Sequence, residues 1–272
     1  PNDNIKIFSS DGGLFQPSLH MNIIYNLLVK NYKKFKSGFN HDLIICYKLM
    51  ERKKILKYEN LIKNTKHYAF IDPSNENDWD FGSYNRVSKS FKNRVILFMN
   101  SHSYPITILW LKKFMRHFKH KTIIASSGSY ESTTKQVKLK WPFNIVSFLK
   151  KKIKAKKSFA NYPNPHLNTS SFMIKSNDFL KFINERKFLS KYETWKIESG
   201  FNSLTNFFKR KDYDLLVVNS DGRKFKLNNW MKSETYHYKY QSKCIISDKH
   251  SRKYLKFNKV EREKSQKAVW GV

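Results

Sequence analysis

Cysteine is nearly absent from this chain: Cys46 and Cys244 are the two in 272 residues. Two cysteines build neither a disulfide framework nor a zinc ligand set. Cys46, inside the apolar run Leu43-Ile44-Ile45-Cys46-Tyr47, reads as a small core residue. A reducing, cytoplasmic setting is the expectation, with peripheral membrane contact as its extension. Glycine and proline are also scarce, at 8 and 7 residues, which excludes a low-complexity or disordered chain. No uninterrupted apolar stretch reaches the roughly 18 residues of a membrane span, and no signal-peptide pattern is read. Acidic residues are few. Against 53 Lys and Arg stand 21 Asp and Glu, a formal charge of +32. Such a field attracts phosphate-bearing substrates, anionic lipid headgroups or nucleic acid; compositional drift is the other reading of it. Chemistry-bearing signatures are missing too: no G-x-S-x-G elbow, no Walker loop, and no dinucleotide fingerprint after the first strand.

What is present is core-forming material. Hydrophobic residues make up 40% of the chain, with 22 Phe, 15 Tyr and 6 Trp, enough for a sizeable core. Short apolar runs alternate with helix-period segments. Ile5 to Phe8, Leu43 to Tyr47, Tyr68 to Ile71, Val95 to Met99, Thr122 to Ala125, Phe172 to Ile174 and Leu215 to Val218 read as strands. Leu19, Ile23, Ile24, Leu27 and Leu28 share a helix face, and further helices are expected at Glu51 to Asn64, Gly82 to Phe91, Ile108 to Phe118, Phe179 to Glu185 and after Gly200. This alternation predicts an α/β fold with a mixed, mainly parallel sheet flanked by helices. Ligands of such sheets bind beyond the carboxyl ends of the strands, which directs attention to the polar loops after Ile71 and Met99. The stretch from Lys135 to Lys157 breaks the pattern and reads as a basic insertion, with an interfacial basic-aromatic segment as its alternative. The tail from Trp230 shows no clear period.

Seven short stretches, in order, carry a resemblance. They are Asp80-Phe81-Gly82-Ser83-Tyr84, Phe98-Met99-Asn100-Ser101-His102-Ser103, Ile124 to Ser132, Tyr162 to Thr169, Glu198 to Thr205, Val217 to Gly222 and Ala268-Val269-Trp270-Gly271. Together they resemble bacterial and large-virus GT-A-like glycosyltransferases that build surface polysaccharides, over most of the chain from Asp42 onward. The resemblance implies a single GT-A-like (Rossmann-like) domain over residues 1–272, with the basic insertion near residues 135–160. It also implies transfer of a sugar from a nucleotide sugar to a glycan or lipid-linked glycan acceptor.

On this resemblance Asp80 contacts the nucleotide, with Gly82 allowing close backbone approach and a helix N-terminus behind it for the pyrophosphate. Tyr84, Asn100, His102, Ser127 and Ser129 complete the nucleotide-sugar side. Asn164, His166 and Asn168 belong to the acceptor side. The family's metal-holding Asp-x-Asp reads Asn100-Ser101-His102 here, without a carboxylate. That leaves His102 as the metal candidate and puts Mn²⁺ or Mg²⁺ dependence in doubt, because hard cations prefer carboxylate and phosphate oxygens. Lysines or Arg86 are the metal-free means of neutralising phosphate. An inverting enzyme needs a carboxylate base. Glu198, read as standing ahead of a helix, is the first candidate, and Asp221, in an Asp-Gly turn signal, is the second. Two other readings stay open: a basic nucleic-acid-binding protein, although no zinc finger, basic heptad or RNA-recognition signature supports it, and a catalytically inactive sugar-binding module.

Overall fold

The computed structural model describes residues 5–12, 19–136, 145–183, 186 and 190–272. The strands are β1 (Ile5–Gly12), β2 (His41–Lys48), β3 (Tyr68–Ile71), β4 (Val95–Asn100), β5 (Tyr104–Pro105), β6 (Thr122–Ala125), β7 (Gly128–Ser129), β8 (His166–Leu167), β9 (Ser171–Lys175), β10 (Asp214–Val218), β11 (Lys224–Lys226) and β12 (Ile246–Ser247). The helices are α1 (Leu19–Lys34), α2 (Arg52–Ile62), α3 (Trp79–Ser90), α4 (Trp110–Met115), α5 (Thr133–Gln136), α6 (Ile145–Ser158), α7 (Ser176–Ile183), α8 (Lys191–Ser199), α9 (Leu204–Lys209), α10 (Lys249–Leu255) and α11 (Lys259–Trp270), with a 3₁₀ turn at Leu227–Ser233.

Eight strands form one sheet in the order β11-β10-β6-β9-β4-β1-β2-β3. Six run in one direction; β9, between β4 and β6, and the edge strand β11 run the other way. The fold is therefore the expected mixed, mainly parallel α/β sheet flanked by helices. The reversed β9 has a consequence for the site. Because it runs backwards, the segment leading into it, Asn168 to Ser170, lies at the same sheet edge as the carboxyl ends of β4 and β6. The chain also reverses its order between β1 and β4, a switch point of the kind that leaves a ligand crevice at that edge.

The apolar run of β4 shows why both sheet faces are covered. Ile96 and Phe98 point into one core with Tyr84 and Val87 of α3, Phe179 and Phe182 of α7, and Leu204 and Phe208 of α9. Val95, Leu97 and Met99 point into the other, with Leu28 of α1, Ile55 and Tyr58 of α2, and Trp110 and Phe114 of α4. Alternation along a strand sends successive side chains to opposite faces, so a continuous apolar run needs two cores. Phe98 is packed among Tyr84, Phe172 and Phe179, with ring centroids 4.6, 5.2 and 5.1 Å away.

Several boundaries differ from expectation. β1 continues past Phe8 to Gly12, α4 is shorter than Ile108 to Phe118, and α7 starts at Ser176, whose hydroxyl accepts from Arg94 N. Helix α3 starts at Trp79, so Gly82 lies within it rather than before it. The tail is structured: Asp248 and Asn258 head capping boxes that open α10 and α11, and Trp270 Nε1 donates to Tyr236 O at 2.8 Å. In the basic stretch, Trp141, Pro142 and Phe143 lie outside the described residues, while Ile145–Ser158 forms helix α6. The side chains of Leu19, Ile23 and Ile24, and the end of the helix expected to reach Glu185, also lie outside them.

Candidate active site

A cleft of ≈ 480 Å³ opens at the carboxyl edge of the sheet. One wall is the start of α3, with Trp79, Asp80, Phe81 and Tyr84; Asn100 ends β4 at its floor. Ser129 and Glu131 follow β6, and His166 to Ser170 lead into β9. Helix α8 contributes Lys191, Thr194, Trp195 and Glu198, and the tail contributes Tyr236, His237, Asp248, Lys249 and His250.

The α3 wall is fixed by a charge cluster. Arg86 donates through Nε to Asp72 Oδ1 at 2.6 Å and through Nη2 to Asp72 Oδ2 at 2.9 Å, while its other face holds Asp78. Ser83 Oγ donates to Asp72 Oδ2 at 2.6 Å. Lys48, buried at the end of β2, pairs with Asp78 and donates to Trp79 O at 2.8 Å. Burial pushes the Asp72 and Asp78 carboxyls up, but the hydrogen bonds from Arg86, with Ser83 on Asp72 and Lys48 on Asp78, outweigh it and hold both below the usual carboxylate range. Trp79 sits at φ 54°, a left-handed conformation that costs a bulky residue on the order of 1–3 kcal/mol. The Lys48 bond to its carbonyl holds it there.

This cluster revises two expectations. Arg86 is committed to two carboxylates and is not the phosphate-neutralising group. The closeness that Gly82 permits is to the Asp78 carboxylate: a Cβ at this position would lie 1.9 Å from Asp78 Cγ. The ion cluster alone already requires glycine there.

Glu198 is in the last turn of α8, whose N-cap is Ser190, and not ahead of a helix. At a helix C-terminus a carboxylate meets the negative end of the dipole, which costs about 0.3–1 kcal/mol near the surface. Helix stabilisation therefore does not explain it. Its Oε1 accepts from Thr169 N at 2.9 Å and Thr169 Oγ1 at 3.0 Å. Among the described residues no donor reaches Oε2. One oxygen is thus pinned while the other remains open in the cleft. Burial drives the Tyr84 phenol well above its ordinary pKa, and Asp80 and Glu198 add to the effect. Tyr236 is raised in the same way, by burial first and then by Asp248, Glu131 and Glu198.

Of the other expected residues, Asp80, Tyr84, Asn100, Ser129, His166 and Asn168 line the cleft with Glu198. His166 Nδ1 donates to Asn164 O at 2.8 Å, because a carbonyl only accepts. Ser127 lies behind the wall, its hydroxyl accepting from Asn168 Nδ2 at 2.9 Å. Asn164 is a buried brace that donates to Ser199 O at 2.7 Å, at the end of α8. Asp221 is away from the cleft, in the turn between β10 and β11, 3.1 Å from Lys243 Nζ. The turn accounts for it. His102 is not a lining residue; its backbone N–H donates to Asn100 Oδ1 and its carbonyl accepts from Arg252.

The donor set at the end of β4 is a poor fit for the divalent metal that the resemblance implies. Asn100 Oδ1 already accepts from His102 N at 3.2 Å and Ser103 Oγ at 2.7 Å. A backbone N–H can only donate, which identifies that atom as the oxygen and leaves the amide NH₂ as the free group. Among the described residues no three His, Cys, Asp or Glu side chains converge as a metal site.

Sequence reading missed Trp79, Trp195, Lys191 and the whole tail wall. His237 is stacked between Tyr236 and Tyr254, at ring distances of 4.0 and 4.7 Å. Burial lowers its pKa to about 4, so the ring is neutral at pH 7. A neutral ring of lowered pKa stabilises the fold fully above the unfolded value of about 6.5. That stability is lost as pH falls from there toward 4. The expected result is a loss of about 3 kcal/mol over this window, read by urea denaturation at several pH values. His237→Gln should flatten the slope, and an unchanged slope would assign it to other groups.

By sequence the chain matches no protein-family profile and no curated protein. By structure it is similar to the 4-diphosphocytidyl-2C-methyl-D-erythritol synthase of Anaerococcus prevotii, at 9% identity and TM-score 0.47, covering 79% of this chain and 86% of that one. It is also similar to mouse xyloside xylosyltransferase 1 in its apo form, at 8% identity and TM-score 0.43, covering 79% and 84%. A third similar structure is HddC from Yersinia pseudotuberculosis, complexed with GMP-PN, at 11% identity and TM-score 0.40, covering 66% and 79%.

Proposed function

We propose that this protein is a nucleotide-sugar-dependent glycosyltransferase that inverts the anomeric carbon, with Glu198 as its base. The observation that carries the reading is the state of Glu198: a carboxylate oriented through one oxygen, open at the other, in a polar and aromatic cleft at the ligand-binding edge of an α/β sheet. In this reading the acceptor hydroxyl gives its proton to Glu198 Oε2 as its oxygen attacks the anomeric carbon. The bond from that carbon to the diphosphate breaks, and the nucleoside diphosphate leaves with the electron pair. Lys191 and Lys249 are the lysines on the cleft wall and offset the leaving charge, the role Arg86 cannot fill. Asp80 accepts from hydroxyls of the donor, Asn100 and Ser129 complete the donor side, and Tyr84 backs it. His166 and Asn168 hold the acceptor, with Trp195 offering an aromatic face at the rim. No step is routed through a metal, because the donor set at Asn100 does not fit one.

A panel of nucleoside diphosphates and nucleotide sugars, with EDTA or with Mn²⁺, tests this by thermal shift and by release of nucleoside diphosphate. A ligand at about 100 times its dissociation constant should stabilise the fold by about 2.7 kcal/mol, with turnover unchanged by EDTA. Turnover lost in EDTA and restored by Mn²⁺ would overturn the metal-free part. No shift with any nucleotide, beside tight salt-sensitive binding of DNA or RNA, would transfer the case to nucleic-acid binding.

A further inference from the structure

The basic stretch is the largest feature that the proposed chemistry leaves unused. In α6, Ile145, Leu149 and Ile153 recur every fourth residue and are 60%, 49% and 55% exposed. At about 100° per residue they occupy roughly 80° of arc. Lys152 borders that stripe on one side, Lys150 and Lys157 on the other, and Lys156 sits at its C-terminal end. All four are exposed, and α6 contains no acidic residue. Away from the stripe, where Lys151 and Lys154 are also exposed, the C-terminal part of the helix is attached to the protein. Ala155 is buried, and Tyr192 Oη donates to Lys154 O and Ser158 Oγ at 2.9 Å. Beyond its C-terminus, exposed Phe201 donates its N–H to Ser158 O at 3.0 Å. Arg210 donates to the carbonyl of that same phenylalanine.

We propose that α6 is an interfacial helix that docks this protein on an anionic lipid surface. A helix resting on its protein through one side, with an exposed apolar stripe opposite and lysines on both borders, has the composition of a segment lying in a bilayer interface. There the apolar chains enter the acyl boundary and the lysines meet the phosphates. A nucleic acid would match the lysines but leave the apolar stripe in water, and a neutral protein groove would match the stripe but not the lysines. Among the described residues no helix is long and apolar enough to cross a membrane. Tyr192 lies on α8, the helix that carries Trp195 and Glu198 into the cleft. Docking through α6 therefore brings the cleft rim toward the membrane, where an acceptor carried on a lipid would be found; this last clause rests on the proposed function.

Flotation of the full chain with vesicles tests the surface itself. Wild type should bind phosphatidylcholine vesicles containing phosphatidylglycerol, bind phosphatidylcholine alone weakly, and release in high salt. Replacing Lys150, Lys152 and Lys157 with Gln should lower affinity about 100-fold, at roughly fivefold per lysine. Leu149→Ser with Ile153→Ser should lower it on the order of tenfold through lost insertion. These positions are exposed, and an unchanged nucleotide thermal shift in both variants shows that the fold and cleft are intact. Wild type that ignores anionic vesicles overturns the proposal. So does vesicle binding that neither variant alters, or a duplex bound with the same lysine dependence and no Leu149 and Ile153 dependence. Vesicle binding without any nucleotide shift would sink the transferase reading and leave the docking surface standing.

Discussion

Glu198→Gln is expected to reduce sugar transfer by about 10²–10⁴-fold, the usual contribution of a general base, with little change in donor affinity. The amide keeps the shape of the carboxylate, and its oxygen can still accept from Thr169 N and Oγ1. What it cannot do is take a proton at the second position. The loss should therefore appear in kcat rather than KM, since binding is preserved and only a transition-state interaction is removed. Asp221→Asn is the control: its partner is Lys243 on the surface, so transfer should stay near wild type. Comparison at matched folded fraction is essential, because lost stability reads as lost activity. Near-normal transfer by Glu198→Gln would remove the base assignment, and His166, in the same cleft, would be the next group to replace. A collapse of donor affinity instead would make Glu198 a binding residue and point to retention.

The sheet was legible because its signals are local. Continuous apolar runs at β2, β4 and β10 declare strands covered on both faces, and the periods between them declare helices. The antiparallel insertion of β9 is not local. Phe172-Met173-Ile174 reads the same in either direction, and its orientation is set by which neighbours it meets. The position of Glu198 could have been read. Ser190 followed by Glu193 is an N-cap signature, and Gly200 suits a helix end better than a helix start. Reading Gly200 as a beginning put Glu198 at the wrong pole of the dipole. The tail carried comparable signals, Asp248 with Ser251 and Asn258 with Glu261, beneath a pattern too aromatic to show a clear period. Cleft membership of Trp79, Trp195 and His237 had no sequence signal, because it depends on segments far apart in the chain converging. Arg86 was misassigned for the same reason: its partners lie 8 and 14 residues away, Asp78 at the N-cap of its own helix and Asp72 just past β3, and the second faces it only once α3 packs on the sheet.

Arg86→Ala is expected to destabilise the fold by about 3–5 kcal/mol, the cost of stripping a buried charge of its partner. The Asp72 side chain is 0% exposed and Arg86 only 23%, so water cannot readily replace the guanidinium. Lys48 is spent on Asp78 and Trp79 O, and Asp72 would retain Ser83, the Ser74 N–H and the weak donor Cys46 Sγ at 3.9 Å, none of them a charge. Arg86→Lys should recover part of the loss, because a point charge cannot fork to two carboxylates at once. The sign of the pH dependence follows from the lowered pKa values of Asp72 and Asp78. Such groups stabilise above the unfolded carboxylate value of about 3.9, and the stabilisation is lost as pH falls through their folded values. The gap between wild type and Arg86→Ala should therefore be full at neutral pH and close in strong acid, which urea denaturation at both pH values would show. A gap below about 1 kcal/mol at neutral pH is what an exposed pair gives, and it would reduce the cluster to surface decoration. The cleft supplies the second reading. Trp79 and Asp80 are held where they are by this cluster, through Lys48 on the Trp79 carbonyl and Asp78 against Gly82. Nucleotide stabilisation should weaken in Arg86→Ala even at temperatures where the variant is fully folded. If it did not, the α3 wall would be held by core packing alone, and the strained Trp79 backbone would owe nothing to the charges beneath it.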